Sequence, residues 1–125
     1  IDHFKRVNDS YGHQAGDDVI RSVAEVLRTT MRDSDIGGRY GGEEFGVVLL
    51  DTDNEGGVVF AERLRQVIED ASIEYDGQRI EFTISLGVAE INGQMVSHSD
   101  WLEQADKALY QSKEGGRNRT SVYQP

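Results

Sequence analysis

Two adjacent carboxylates, Glu43 and Glu44, lie in the stretch Arg39-Tyr40-Gly41-Gly42-Glu43-Glu44-Phe45. Carboxylate oxygens are ligands that Mg²⁺ prefers, and one or two of them plus substrate phosphates make its usual shell. The neighbouring glycines remove side chains, so a ligand can approach the backbone closely. The same residues also suit a plain solvated turn, and residue type alone leaves both readings open. Lys113 and Arg117 supply two cations four residues apart near the end of an expected helix. By themselves they also fit simple complementation of a helix C-terminus. His3, His13 and His98 are far apart and lack zinc-ligand spacing. There is neither a Walker A loop nor a Rossmann glycine fingerprint.

The elements that must hold these groups follow from periodicity. Phe4 to Gly12 reads as a polar stretch with two aromatics, ending in a turn-permitting glycine. Ala15 to Arg32 is expected to be a helix, with Val19, Ile20, Val23, Val26, Leu27 and Met31 on one face. Asp17 and Asp18 then fall in its first turn, and Arg28 and Arg32 near its end, as the helix dipole favours. Asp35 to Tyr40 and Phe45 to Leu50 read as strands joined through Gly41-Gly42 in a β-hairpin.

A second helix is expected over Asn54 to Ala71, with Val59, Phe60, Leu64, Val67 and Ile68 inward. Ile73 to Tyr75, Asp76-Gly77 and Arg79 to Ile91 read as a second hairpin, in which Phe82, Ile84, Leu86 and Val88 line one face. A third helix is capped by Ser99 or Asp100 and runs to about Lys113, with Trp101, Leu102, Ala105, Ala108 and Leu109 inside. Gly115-Gly116 stops it, and Thr120 to Tyr123 forms a closing strand. Helices alternating with hairpins imply a mixed sheet with helices packed on it, an α/β (α+β) sandwich.

The 125 residues suffice for one hydrophobic core, so residues 1–125 read as a single domain. The net charge of −10 repels phosphate backbones and argues against nonspecific nucleic-acid binding. No apolar run is long enough to span a bilayer, so no direct membrane contact is expected. The absence of cysteine excludes disulfides and thiolate metal sites and fits a cytoplasmic domain. The chain opens at Ile1 without an initiator Met, so it reads as an excerpt of a longer parent, whose membrane attachment these residues leave open.

Several segments together resemble one family. Gly41-Gly42-Glu43-Glu44-Phe45 is similar to the GGDEF signature in its GGEEF variant. Ile1-Asp2-His3-Phe4-Lys5-Arg6-Val7-Asn8-Asp9, Tyr11-Gly12-His13 and Gly16-Asp17 resemble the family's segment after its first strand. Thr83 to Ala89 resembles its later core strand. Ala105-Asp106-Lys107-Ala108-Leu109-Tyr110 with Lys113, Gly116, Arg117 and Asn118 resembles its C-terminal signature. The marks occur in order from end to end. The resemblance is to the GGDEF domains of diguanylate cyclases.

That resemblance implies a central, mainly antiparallel sheet flanked by helices, related to the palm of nucleotide polymerases and cyclases. It implies condensation of two GTP into cyclic di-GMP with release of two pyrophosphates, in a homodimer whose protomers each bind one GTP. Residue by residue, Glu43 resembles a metal ligand and the base for the 3′-hydroxyl, and Glu44 a second ligand. Ile1 resembles the residue offering a backbone carbonyl to Mg²⁺ or Mn²⁺. Asn8 and Asp17 resemble the guanine-reading pair, with Lys5 a phosphate contact and His13 part of the same substrate segment. Lys113 and Arg117 resemble a triphosphate clamp, and Gly41 and Gly42 let the nucleotide lie against the backbone.

The family's metal-binding Asp precedes the position of Ile1, and its first helix and strand precede it too; all are expected outside this chain. Arg32-Asp33-Ser34-Asp35 matches RxxD, with five residues between Asp35 and Gly41. At that spacing the resemblance implies an inhibitory site for the product, cyclic di-GMP, with Arg63 as a secondary arginine. A noncatalytic module that binds GTP or cyclic di-GMP as a signal is the alternative.

Overall fold

The computed structural model describes residues 1–125. The chain runs α1 (Phe4–Tyr11), α2 (His13–Thr30), β1 (Ile36–Gly41), β2 (Glu44–Val48), α3 (Asn54–Asp70), β3 (Ile73–Tyr75), β4 (Gln78–Ile80), β5 (Leu86–Val88), α4 (His98–Glu114) and β6 (Thr120–Val122). The α/β class expected from the sequence stands. The strands form three hydrogen-bonded pairs, of which β1–β2 and β3–β4 are antiparallel and β5–β6 is parallel. Packing between helices and strands joins these pairs. No helix is long and apolar enough to cross a membrane.

The core gathers Val7 of α1, Ala15, Val19, Val23 and Leu27 of α2, Leu64 and Ile68 of α3, and Ile80, Phe82 and Ile84. The segment Phe4 to Tyr11 departs from its reading as an irregular polar stretch. Phe4, Val7 and Tyr11 stand at i, i+3 and i+7, a helical spacing that turns them onto the core. The five residues between them are polar, which hides so short an amphipathic helix from a sequence reading.

The α3 helix also sits in a different phase. Its buried stripe is Gly57, Ala61, Leu64 and Ile68. Val59 and Val67, expected inside, are exposed. At about 100° per residue, Val59 lies opposite that stripe and Val67 on its flank. Leu102 of α4 is likewise exposed, whereas Trp101 is half-buried and donates its indole Nε1–H to Ala89 O at 2.7 Å. The cap of α4 falls at Ser97, before the expected Ser99 or Asp100. Asp100 instead accepts from the backbone N–H groups of Val96 and Ser97.

The single strand expected over Arg79 to Ile91 divides into β4 and β5. No strand runs alongside residues 81–85 to complete a ladder, although Phe82 and Ile84 keep their alternating burial. One long-range backbone bond, from Asp2 N–H to Thr83 O at 2.9 Å, ties this segment to the start of the chain. Gly87 lets α4 lie directly on β5. A Cβ there would overlap the backbone of Ala105 and Leu109.

Candidate active site

The hairpin β1–β2 presents the two carboxylates. Gly41 pairs with Glu44, leaving Gly42 and Glu43 at the tip, and the register shifts between Arg39 and Gly41. Gly42 takes φ +51°, a conformation that glycine adopts most readily. Arg39 donates Nε–H to Gly42 O at 2.7 Å and braces the turn. Glu43 and Glu44 are exposed, and no atom lies within 4 Å of where a side chain on Gly41 or Gly42 would begin. The tip is open, as close approach by a nucleotide requires.

Ile1 sits against this tip, its backbone nitrogen donating to Glu43 O at 3.3 Å. Asp2, Glu43, Glu44 and Lys113 all lie within electrostatic reach of the Ile1 backbone nitrogen. Ile1, Glu43, Glu44 and Lys113 are therefore electrostatic neighbours. No three His, Asp or Glu residues form a metal-holding group. The donors at hand are oxygens, two carboxylates and a nearby backbone. They fit a hard cation that completes its shell with water and phosphate.

Where α1 meets α2, Asn8 of α1 packs against Gly16 of α2, and its Oδ1 is buried with no hydrogen-bond partner. Asp17, one residue on, is exposed. Because α2 begins at His13, Asp17 lies past its first turn, which weakens a purely dipolar explanation for it. Lys5 and His13 are exposed.

Lys113 occupies the last turn of α4, but Arg117 lies beyond it. Arg117 (φ +63°) and Asn118 (φ +47°) are consecutive left-handed non-glycine residues. Such backbone persists only when its surroundings hold it. Arg117 N–H donates to Ser112 O at 2.9 Å. Asn118 N–H donates to Asp2 Oδ2 at 3.0 Å, and Asn118 Oδ1 accepts from Arg65 Nη1 at 3.1 Å. Asn118 Nδ2 donates to Glu69, and Arg65 is itself paired with Glu62 and Glu69.

Arg32 and Asp35 are joined to each other. Arg32 donates from Nη2 to Asp35 Oδ1 at 2.7 Å, from Nε to both carboxylate oxygens, and from its backbone N–H to Oδ2 at 2.9 Å. The side chain of Asp35 is fully buried, while that of Arg32 is 56% exposed. The Arg32 guanidinium holds the Asp35 carboxyl below its ordinary pKa despite the burial. Nη2 of Arg32 also reaches Leu50 O at 2.8 Å and Thr52 Oγ1 at 3.1 Å, tying the end of α2 to the approach of α3. Arg63 shares no hydrogen bond or ion pair with this group; it is exposed, about 14 Å along α3 from Asn54.

The family model described as "Diguanylate cyclase, GGDEF domain" matches residues 1–119. The chain belongs to the GGDEF domain family. Diguanylate cyclase A of Treponema denticola is 48% identical over 122 residues, covering 98% of this chain and 33% of that protein. The chain thus spans about a third of the length of that relative. The GGDEF domain of DgcB from Caulobacter crescentus, solved in complex with c-di-GMP, superposes with a TM-score of 0.94 at 36% identity, over 98% of this chain and 73% of that one. The active GGEEF domain of a diguanylate cyclase from Vibrio cholerae gives 0.88 at 33% identity, over 100% and 79%.

In this GGDEF domain, sequence reasoning missed the part played by Asp2. Asp2 sits in the turn before α1, 5% exposed, and accepts from Thr83 Oγ1 at 2.7 Å, Ser85 Oγ at 2.6 Å and Asn118 N–H. Burial pushes its pKa up, but these hydrogen bonds outweigh burial and hold the carboxyl below the ordinary range. One carboxylate thereby joins Ile1, the 83–85 segment and the loop carrying Arg117. The only signal for it was a charged residue between the apolar Ile1 and the motif Phe4-Lys5.

Proposed function

We propose that this GGDEF domain is the catalytic unit of a diguanylate cyclase, condensing two GTP into cyclic di-GMP and releasing two pyrophosphates. The observation that carries the proposal is the juxtaposition at Ile1. The open Glu43–Glu44 tip touches one side of it, and Asp2 links its other side to the Arg117 loop. The carboxylates and the cation-bearing loop are thereby tied to the same two residues, Ile1 and Asp2.

In this reading Asn8 and Asp17 bind the guanine edge. Lys5, Lys113 and Arg117 meet the phosphates, with His13 beside them and Gly41 and Gly42 giving the nucleotide access to the backbone. Glu43 and Glu44, with the Ile1 carbonyl, hold Mg²⁺ or Mn²⁺. The bound ion supplies charge neutralisation at the phosphates. Glu43 takes the proton from the attacking 3′-hydroxyl. Each site binds one GTP and supplies one attack, so catalysis requires two domains facing each other in a two-fold homodimer.

Product inhibition is proposed at Arg32. Its exposed guanidinium keeps Nη1 for a phosphate of cyclic di-GMP, while Asp35 holds it in place, with Arg63 as a secondary contact. Replacing Arg32 by Ala is expected to abolish cyclic di-GMP binding at this site in calorimetry; unchanged binding removes Arg32 from the proposal.

The decisive experiment incubates the full-length dimeric protein with GTP and Mg²⁺ and separates the products by chromatography. Cyclic di-GMP and pyrophosphate are expected. Unreacted GTP alone defeats the catalytic reading in favour of a binding module.

A further inference from the structure

One face of α3 carries Glu62, Arg65 and Glu69 at i, i+3 and i+7, and none of the three belongs to the proposed site. Arg65 is the centre of this ladder, its side chain only 14% exposed. Its Nε donates to Glu62 Oε2 at 2.7 Å and its Nη2 to Glu62 Oε1 at 3.1 Å, a bidentate pair, while Nη1 donates to Glu69 Oε2 at 2.9 Å. Each member also holds a residue of the segment after α4. Arg65 Nη1 donates to Asn118 Oδ1 at 3.1 Å, Glu69 accepts from Asn118 Nδ2, and Glu62 Oε2 accepts from Thr120 Oγ1 at 2.8 Å. The ladder thus grips the chain just after Arg117, whose own N–H is bound to Ser112 O of α4. Between these anchors stand the two left-handed residues, Arg117 and Asn118, a backbone that relaxes once an anchor is lost.

We infer that Arg65 is a positioning residue for the phosphate end of the site: it orients Glu62 and Glu69, and with them fixes the loop that carries Arg117. The inference rests on the proposed phosphate role of Arg117 and extends it to a side chain that touches no substrate. Arg65 suits this task because its planar fork binds Glu62 through two nitrogens and spends the third on Glu69 and Asn118 together. Without it, two carboxylates lose their shared cation and Asn118 Oδ1 loses its donor. The loop then keeps its tie to Asp2 but not its tie to α3.

Binding is read by calorimetry on the full chain with Mg²⁺ and 3′-deoxy-GTP, which lacks the attacking hydroxyl and cannot condense. Met at position 65 keeps the apolar stem of the side chain and removes the guanidinium. Arg65→Met is expected to weaken binding about tenfold, the scale of one charge-assisted hydrogen bond. Arg117→Ala is expected to weaken it at least as much. Adding Arg65→Met to Arg117→Ala is then expected to change nothing further, because the loop no longer carries the group that Arg65 positions. A general loss of packing would weaken both backgrounds equally.

Glu69→Ala supplies the second variant. The Glu69 side chain is partly exposed, so α3 tolerates its truncation, while Arg65 Nη1 and Asn118 Nδ2 each lose an acceptor. It is expected to show a loss of the same kind, again only where Arg117 is present, and it decides the matter if Arg65→Met folds poorly. Wild-type affinity in a folded Arg65→Met, or failing that in Glu69→Ala, overturns this inference alone. So does a loss of equal size with and without Arg117. Undiminished affinity in Arg117→Ala overturns the phosphate reading and this inference together.

Discussion

The two sides of the candidate site are built in opposite ways. The loop carrying Arg117 is cross-linked: Asn118 alone is bound by Asp2, Arg65 and Glu69, and Asp2 is bound again by Thr83 and Ser85. The tip carrying Glu43 is open, braced by Arg39 on one side and touched by Ile1 on the other. On the cross-linked side, the proposed function and stability share residues, because strained backbone must be held by its polar bonds. At the open tip they separate, because exposed side chains contribute little to folding.

That contrast sets the expected sizes of effect. Glu43→Gln removes the proposed base without touching the core. Cyclic di-GMP formation should fall by about 10²–10⁴-fold. Denaturant unfolding should give an unchanged midpoint; a large loss of stability would erase the difference between the two sides.

Asp2→Ala should show the reverse pattern. It leaves three half-buried donors without an acceptor, and urea titration should register a loss of about 3 kcal/mol. Asp2 also ties acid stability to this side. Its folded pKa is lowered, so its contribution is complete above the ordinary Asp range and disappears as pH falls through the folded value. The stability gap between wild type and Asp2→Ala should be full at neutral pH and narrow below about pH 4. A gap independent of pH contradicts the ionised role of Asp2.

Asn118→Gly gives the smallest and sharpest test. Glycine keeps the left-handed backbone and the N–H to Asp2 but removes the side-chain bonds to Arg65 and Glu69. About 1 kcal/mol of stability should be lost. Steady-state kinetics should show KM for GTP raised severalfold, with kcat little changed. A fall in kcat with unaltered KM would place Arg117 outside substrate binding.

Legibility in the sequence followed range. The β1–β2 hairpin was readable because Gly41-Gly42 is local turn chemistry between apolar runs, and α2 because its apolar stripe repeats over 18 residues. The phase of α3 was not, since Val59 and Val67 satisfy a helical period as well as Ala61 does, and only the packing partner chooses between faces. The eight residues of α1 gave too few apolar positions to show a period. The cap of α4, expected at Ser99 or Asp100, falls at Ser97, because several neighbouring polar residues suit that place and Asp100 takes the N3 position of the capping box.

The sequence by itself determined the family, the three longer helices and the β1–β2 hairpin, and which residue types could meet metal, base and phosphate. It did so because those signals reside in residues a few positions apart. Tertiary structure alone decided that Arg32 and Asp35 are locked together with Asp35 out of solvent, that Asn8 rests in the space left by Gly16, and that Asp2 fastens residues 83, 85 and 118. The bonds of Asp2 close separations of 81, 83 and 116 residues. No local propensity encodes a partner at that distance; it is fixed only when the core brings the segments together and leaves a buried carboxylate that must find its donors.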